Sequence, residues 1–263
     1  MKKKVRIALI ISTAVFAIAL FMTILKFDDY KKGSTIYSEA RNIAGVQADS
    51  ISSPKAENNS AKDKHISEDD NTHHSIFPDT NALQRVNSDV IGWISIPDTA
   101  ISYPIVQGQD NAFYLKNTWD KNGSMVGSIF MECMCSPDFS DFNTIIYGHR
   151  MKDGSMFASL RHYSENEYLN SHPSIYITHS GSTFRYDIFS AYEANVRDIT
   201  FGISLVQAEH KERLIAHALK NSAIDTDIIP TSADKILTLS TCTARSSKNT
   251  RWVVHAVLKS SVS

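Results

Sequence analysis

The stretch Lys235–Leu258 reads KILTLSTCTARSSKNTRWVVHAVL, two alternating apolar runs joined by a polar segment. The first run ends at Cys242, and the second begins at Arg251. Side chains of a β-strand alternate between its two faces, so one face of the first strand carries Ile236, Thr238, Ser240 and Cys242. By the same rule, one face of the second carries Arg251, Val253, His255 and Val257. A hairpin would therefore bring Cys242 beside Arg251 at one end of a sheet.

This pairing has the composition of a nucleophilic site. A guanidinium beside a thiol lowers the thiol pKa and increases the fraction of reactive thiolate, and it can also donate hydrogen bonds to an oxyanion. A cysteine nucleophile needs a proton partner, and His149 follows the run NTIIYG at a predicted strand end. His255 is the alternative, but it lies within a strand, where a packed histidine is expected. Residue types alone leave a structural interpretation open, with Cys242 as a small buried side chain, Arg251 as a strand-edge charge and His149 as a turn residue.

The chain upstream of this stretch alternates short apolar runs with turn residues. Strands are predicted in the runs IGWISIP, ISYPIVQG, GSIFMEC and NTIIYGH, and in a hairpin that turns at HSGS. Helices are predicted at 80–90, capped by Asn or Thr, at 154–173, and at 204–223. The last is amphipathic, and its apolar face carries Leu205, Ala208, Ile215 and Leu219. Many short strands with few helices predict a mainly β fold, a closed or nearly closed barrel.

The N-terminal segment indicates a membrane anchor. Residues Ile7–Leu25 are nineteen residues without a charge, preceded by MKKKVR. Roughly 20 apolar residues span a bilayer, and the basic flank favours an N-terminus inside the cell. A cleaved signal peptide is the alternative. The predicted organisation is a cytoplasmic tail at 1–6, a transmembrane signal anchor at 7–25, a stalk or linker at 26–75 and an extracellular catalytic domain at 76–263.

Composition narrows the function classes. The formal net charge is −1, which argues against a nucleic-acid-binding protein. The three cysteines do not form a disulfide framework, because Cys133 and Cys135 are too close in sequence for an unstrained bridge. No suitably spaced Cys and His residues complete a zinc site. Outside the cytoplasm, where thiols are often oxidised, Cys242 is a candidate reactive group.

Together the motifs TLSTC, RWVVHAVL and NTIIYGH resemble the sortase family. The segments SDVIGWISIPDTAISYPIVQGQDNAFYL and NTIIYGHRMKDGSMFASL are similar to class B sortases in particular. The resemblance covers Asn87 to about Lys259. It implies an eight-stranded sortase-type β-barrel with N-terminal helices and a helix inserted before the strand that carries the Cys, where 204–223 is located.

The resemblance also implies roles for individual residues. Cys242 matches the nucleophile, His149 the general acid and base, and Arg251 the group that positions substrate and stabilises the oxyanion. Positions that line the substrate groove are matched by Ser240, Asn111 and Leu115. Class B enzymes often have an acidic residue directly after the Cys, and this chain has Thr243 instead. Cys133 and Cys135 are interpreted as packing or surface residues, and a redox role is the alternative.

The implied reaction is transpeptidation without a metal or an organic cofactor. A C-terminal sorting signal, Asn-Pro-x-Thr-(Gly/Asn) in preference to Leu-Pro-x-Thr-Gly, is cleaved after Thr through a thioacyl-enzyme and joined to an amine of a peptidoglycan precursor. The implied partners are surface proteins that bear this signal, that amine, and the membrane through the N-terminal helix, with no nucleic acid. The alternatives are a pilin-polymerising sortase, a secreted cysteine protease and a non-enzymatic surface adaptor with a sortase-like barrel.

Overall fold

The fold is a closed β-barrel of eight strands. The computed structural model describes residues 2–46, 78–242 and 249–262. The strands are β1 Val90–Ser95, β2 Ser102–Val106, β3 Ile129–Met131, β4 Asn143–Tyr147, β5 Ser174–His179, β6 Ser182–Asn195, β7 Ile236–Cys242 and β8 Thr250–Val262. The α-helices are α1 Lys2–Ile43, α2 Thr80–Gln84, α3 Asn166–Ser171 and α4 Ala208–Asn221. Short 3₁₀-helices span Phe113–Leu115, Ala158–Ser164 and Ile199–Phe201.

The strands follow the order β1-β2-β3-β4-β7-β8-β6-β5 around the barrel, and β5 pairs with β1 to close it. The β2–β3 and β4–β7 pairs are parallel, and the other pairs are antiparallel. The prediction of an eight-stranded barrel with N-terminal helices is therefore confirmed. The parallel β4–β7 pair lies next to the β7–β8 hairpin, so three neighbouring strands carry His149, Cys242 and Arg251 at or just beyond their ends.

The sheet around β7 and β8 is covered on both faces. Leu237, Leu239 and Val254 belong to the main core inside the barrel. Ile236 and Val253 belong to a second apolar cluster on the outer face, together with residues of α4. Burial on both faces explains why β7 is apolar or small at every position from Ile236 to Thr241.

Helix α4 is the amphipathic helix predicted before the Cys strand, and it occupies Ala208–Asn221. Its buried residues are Leu214, Ile215 and Ala218. The predicted apolar face was wrong at Ala208, which is exposed, whereas Leu205 and Leu219 pack against the second cluster. The cap of α2 also differs from the prediction, since Asp79 accepts a hydrogen bond from the Ala82 amide at 3.0 Å.

The segment predicted as one helix at 154–173 is divided into a 3₁₀-helix, Ala158–Ser164, and the short α3, Asn166–Ser171. Phe157, Leu160 and Tyr163 are all buried, at a spacing of three residues. A spacing of three matches the 3₁₀ repeat, whereas an α-helix would rotate these side chains progressively away from the barrel.

Helix α1 is long and apolar enough to cross a membrane, by length and composition. Its first half is exposed, including Val15, Phe16 and Phe21. Its second half lies on the barrel and buries a stripe formed by Gly33, Ile36, Tyr37 and Ala40, with Ala44 just beyond the helix end. Residues 26–43 of the predicted stalk are therefore helical, whereas 47–75 lie outside the described residues.

Candidate active site

The backbone of Cys242 lies directly opposite Arg251. The β7–β8 register runs from Ile236 opposite Val257 to Cys242 opposite Arg251. This is the pairing that the alternation of the two runs predicted. Arg251 is partly buried, and its Nη1 donates to the Thr250 carbonyl at 2.8 Å. The pairing of β8 with β6 also places Ala194 on the other side of Arg251.

His149 reaches the same edge of the sheet from the neighbouring strand. In the parallel β4–β7 pair, Tyr147 lies opposite Ser240, and the Gly148 amide donates to the Ser240 carbonyl at 3.1 Å. His149 follows Tyr147 by two residues, just as Cys242 follows Ser240 by two. Adjacent strands are about 4.8 Å apart, so the two chains leave the sheet side by side. The structure thus brings the backbones of the three predicted catalytic residues together.

The imidazole of His149 is oriented by the backbone of a second segment. Its Nε2 lies 2.7 Å from the Leu115 carbonyl oxygen. A carbonyl oxygen only accepts hydrogen bonds, so Nε2 carries the proton and Nδ1 is the basic nitrogen of the neutral ring. The Phe157 amide donates to the His149 carbonyl at 3.0 Å and fixes the backbone as well.

Gly127 is the residue against which His149 rests. Its φ is +62°, and a Cβ at this position would lie 2.8 Å from the Leu115 carbonyl oxygen and 2.9 Å from His149 Cδ2. Only glycine accepts this backbone conformation without strain and leaves room for the ring. The loop that carries Gly127 therefore shapes the position of the imidazole.

Ser240 presents an unpartnered hydroxyl on the Cys242 face of β7. It is only 1% exposed, and its Oγ has no hydrogen-bond partner among the described residues. A buried hydroxyl without a partner is uncommon and unfavourable. The position of Ser240 in the substrate groove stays a prediction, and a peptide group next to this hydroxyl would supply the partner that it lacks.

Of the other two predicted groove residues, Leu115 is beside His149 and Asn111 is bonded within the protein. Leu115 contributes its carbonyl to His149, and its side chain is partly exposed. Asn111 Nδ2 donates to Glu132 Oε1 at 2.6 Å, and its Oδ1 accepts from the Cys133 amide at 2.9 Å. Asn111 thus ties its loop to the end of β3.

Glu132 and Tyr147 lie next to the site, and neither residue was predicted from the sequence. The carboxylate of Glu132 is buried, and it accepts from Asn111 and from the Tyr147 hydroxyl, the latter at 2.9 Å. Burial, with the nearby Glu132 carboxylate, raises the pKa of Tyr147, so this phenol stays protonated and acts as a donor. An acidic residue directly after an apolar strand, in IFME, was the available signal.

Cys133 and Cys135 are free and lack the surroundings of an activated thiol. The Cys133 Sγ lies 3.4 Å from Glu132 Oε1, and burial together with this carboxylate raises its pKa. Burial raises the pKa of Cys135 to about 11. A raised thiol pKa reduces the thiolate fraction and disfavours a nucleophilic role for either thiol, and the interpretation of both as packing or surface residues stays a prediction.

His255 is fully buried on the outer face of the sheet, four residues along β8 from Arg251. Thr238 Oγ1 donates to Asn143 Oδ1 at 2.6 Å, so it must accept from His255 Nδ1 at 2.9 Å. His255 Nε2 lies 3.2 Å from the Tyr192 hydroxyl. Burial lowers the pKa of His255 to about 3. This histidine is therefore a neutral link between β4, β6, β7 and β8, in agreement with its interpretation as a packed residue.

Comparison with known proteins gives a consistent result. A family model described as the sortase domain matches residues 94–259. Sortase B of Listeria monocytogenes is 33% identical over 189 residues, which cover 72% of this chain and 77% of that protein. The structure of the Staphylococcus aureus sortase B–substrate complex has a TM-score of 0.65 at 29% identity and covers 68% of this chain and 84% of its own. A structure of sortase B from B. anthracis has a TM-score of 0.71 at 31% identity, with coverage of 88% and 98%.

Proposed function

The chain belongs to the sortase family of cysteine transpeptidases, and we propose that it attaches secreted proteins to the cell wall from a membrane anchor. Its substrate is a C-terminal sorting signal of the Asn-Pro-x-Thr-(Gly/Asn) type, cleaved after Thr. The acceptor is an amine of a peptidoglycan precursor. The single observation that carries this proposal is the convergence of Cys242, Arg251 and His149 at one edge of the β4–β7–β8 sheet.

The first half of the reaction forms a thioester. The proton of the Cys242 thiol passes to the basic Nδ1 of His149, and the resulting thiolate attacks the Thr carbonyl carbon. The carbonyl oxygen becomes an oxyanion to which Arg251 donates hydrogen bonds. The C–N bond then breaks, and His149 gives a proton to the departing amine. The products are a Thr-acyl thioester on Cys242 and the released C-terminal fragment.

The second half transfers the acyl group to an amine. The neutral acceptor amine attacks the thioester carbonyl, again with Arg251 at the oxyanion. His149 removes the proton from the attacking nitrogen, and Cys242 leaves as the thiolate. Because His149 has returned to its neutral form after the first half, the same basic nitrogen serves both steps.

The substrate class rests on the relatives and on the groove. The similar proteins are named sortase B, one similar structure is a sortase B–substrate complex, and another is a sortase B complexed with triglycine. A peptide and a glycine amine are the two substrates that the proposed reaction requires. The Ser240 hydroxyl on the Cys242 face is buried and has no partner among the described residues, so we propose that a bound peptide supplies one.

The cellular location rests on α1. The nineteen uncharged residues Ile7–Leu25 lie in the first half of this helix, after a basic N-terminal segment. A single-pass anchor with the N-terminus inside places the barrel outside the cell, where secreted proteins and wall precursors meet. The catalytic domain is proposed to extend over 76–263, with the preceding residues as anchor and connection.

Intact-mass spectrometry of the full chain in detergent tests the proposed reaction. The protein is incubated with Asn-Pro-x-Thr-Gly or Leu-Pro-x-Thr-Gly peptides, with and without triglycine or a diamino acid, and Cys242→Ala is the control. We expect a Thr-acyl adduct on Cys242 with the Asn-Pro peptide, converted to an amine-ligated product when the nucleophile is added.

Each alternative predicts a different product. A cysteine protease would release the free Thr carboxylate at the same rate with or without amine, and a pilin-polymerising enzyme would require a protein lysine as nucleophile. A preference for the Leu-Pro peptide would overturn the substrate class while leaving the transpeptidase reaction intact. No adduct from either peptide on folded protein would overturn the proposed substrate class as a whole.

A further inference from the structure

Helix α1 is bonded to the loop beside His149 at two levels along its length. Nearer the membrane segment, Asp29 accepts from the Ser124 hydroxyl and from the Met125 amide, each at 3.1 Å. Two turns further along, the Tyr37 hydroxyl donates to the Gly127 carbonyl. Gly127 is the residue that touches the imidazole of His149. The helix that carries the apolar segment thus reaches the loop that shapes the active site.

The helix also packs closely against this loop between the two bonded levels. A Cβ on Gly33 would lie 2.7 Å from Val126 Cγ2, a separation that real side chains do not adopt. Gly33 begins the buried stripe that continues through Ile36, Tyr37 and Ala40. Bonds at both ends and close packing between them fix the orientation of α1 on the barrel.

The segment 47–77 does not set the distance between the barrel and the helix. The Asp79 amide donates to the Ala44 carbonyl at 2.9 Å, so the chain returns to the point where it left α1. Whatever course residues 47–77 take, the connection between apolar segment and barrel runs through the docked helix. A flexible spacer would hold the barrel away from the helix, but the barrel and α1 are in direct contact.

The helix itself therefore sets the height of the barrel above the membrane. An α-helix rises about 1.5 Å per residue, so Asp29 lies only about 6 Å beyond Leu25, the end of the apolar segment. Tyr37, at the level of the His149 loop, lies about 18 Å beyond Leu25. The headgroup region of a bilayer is itself several ångströms thick on each side.

We propose that the docked half of α1 holds the barrel against the lipid headgroups as a rigid connection. The loop 124–126 then contacts the bilayer surface, and the catalytic groove lies within about 20 Å of that surface. Met125 marks the contact, because its apolar side chain is 69% exposed beside Asp29. The proposal rests on the membrane anchoring in the proposed function and deepens it. The enzyme would act on sorting signals and lipid-linked acceptors held close to the same membrane surface.

A fluorescence-quenching experiment on the full chain tests whether the loop 124–126 contacts the bilayer surface. The native thiols are replaced (Cys133→Ser, Cys135→Ala, Cys242→Ala), and a fluorophore is attached to Met125→Cys or, as control, to Ile229→Cys. Ile229 is matched in exposure, at 75%, and lies before the start of β7, at the end of the strand away from Cys242. Both proteins are inserted into phosphatidylcholine–phosphatidylglycerol vesicles that contain headgroup nitroxide lipids, which quench only at short range.

We expect strong quenching at position 125 and little at position 229. Replacement of 47–77 by a short Gly/Ser connector should leave this difference unchanged, whereas Gly33→Leu should reduce quenching at position 125 by displacing α1 from Val126. Circular dichroism checks folding, and Tyr37→Phe replaces Gly33→Leu if the latter does not fold. Equal quenching at the two positions, or a Gly33→Leu protein that is folded and quenched like the parent, would overturn the proposal.

The experiments distinguish a failure of the proposed membrane contact at loop 124–126 from a failure of the proposed function. Protein that does not float with the vesicles in a density gradient would refute the membrane anchor itself. Protein that floats but is quenched equally at positions 125 and 229 would refute only the membrane contact of loop 124–126. Neither readout depends on turnover, because the quenching proteins lack Cys242.

Discussion

His255 makes the stability of the barrel sensitive to acid in a way that can be measured. The side chain is fully buried, and its two ring nitrogens are hydrogen-bonded to the hydroxyls of Thr238 and Tyr192. Burial lowers its pKa to about 3, against about 6.5 in an unfolded chain. The charged form is excluded from the folded protein and accessible to the unfolded one, so protonation favours unfolding.

The sign and size of the effect follow from these two pKa values. A depressed pKa means that the stabilisation is fully present above about pH 6.5 and is lost as pH falls towards 3. At pH 5 the unfolded histidine is almost fully protonated and the folded one is not. The free energy of unfolding should then be about 2 kcal/mol lower than at pH 7.5 from this residue alone. For a domain of this size, that is a decrease of about 4–8 °C in Tm.

The assay is thermal unfolding of the native chain and of His255→Gln in detergent at pH 7.5 and pH 5. The variant should be less stable at pH 7.5, by about 1–3 kcal/mol, because buried partners lose good hydrogen bonds. Between the two pH values, however, it should lose about 4–8 °C less than the native chain does. His210→Gln, an exposed change on α4, serves as the matched control and should keep the native pH dependence.

Parallel decreases in Tm for the native chain and His255→Gln would refute the reasoning, because the acid sensitivity would then arise from other groups. The same conclusion would follow if His210→Gln reduced the pH dependence as much as His255→Gln. All other titrating residues are common to the three proteins, so they cancel in the comparison.

Three further predictions concern the active site. Arg251→Ala should lower kcat/KM by about 10²–10³-fold, as for a lost oxyanion donor, while the Tm stays the same. Arg150→Ala should lower kcat/KM far less. Equal losses of kcat/KM in the peptide-ligation assay would contradict the assignment of Arg251. Gly127→Ala should lower the free energy of unfolding by about 1–3 kcal/mol in urea titration, because its φ is +62°, and should slow turnover by displacing His149; native turnover would show that the ring adjusts. Cys242→Ala should abolish the acyl adduct in intact-mass spectra, whereas Cys133→Ala should retain it, and loss of the adduct in Cys133→Ala would reopen the question of the nucleophile.

The β7–β8 pairing could be predicted from sequence because its determinants are local. The two runs are joined by one short polar segment, and a shift of one residue in their pairing would move every side chain of a strand to the other face. The register that pairs Cys242 with Arg251 is the one observed. The barrel followed for the same reason, since each strand was bounded by its own turn residues.

Other features could not be predicted because they depend on residues distant in sequence. Glu132 is an isolated acid until the fold brings Asn111 and Tyr147 to it. The docking of α1 depends on Gly33, whose importance is evident only when Val126 lies against it. The helix predicted at 154–173 was divided because barrel packing imposed a period of three that overrode local helix propensity.

The parallel β4–β7 pair has a consequence for the order of events in folding. Its partners, from Asn143 opposite Ile236 onward, are about ninety residues apart in sequence. Such a distant pairing forms slowly, because a long loop must close before any contact is gained. His149 follows the end of β4 and Cys242 ends β7, so the proposed catalytic residues come together only when this pair forms. Under the proposed mechanism, the chain therefore has no activity until β7 has joined the barrel.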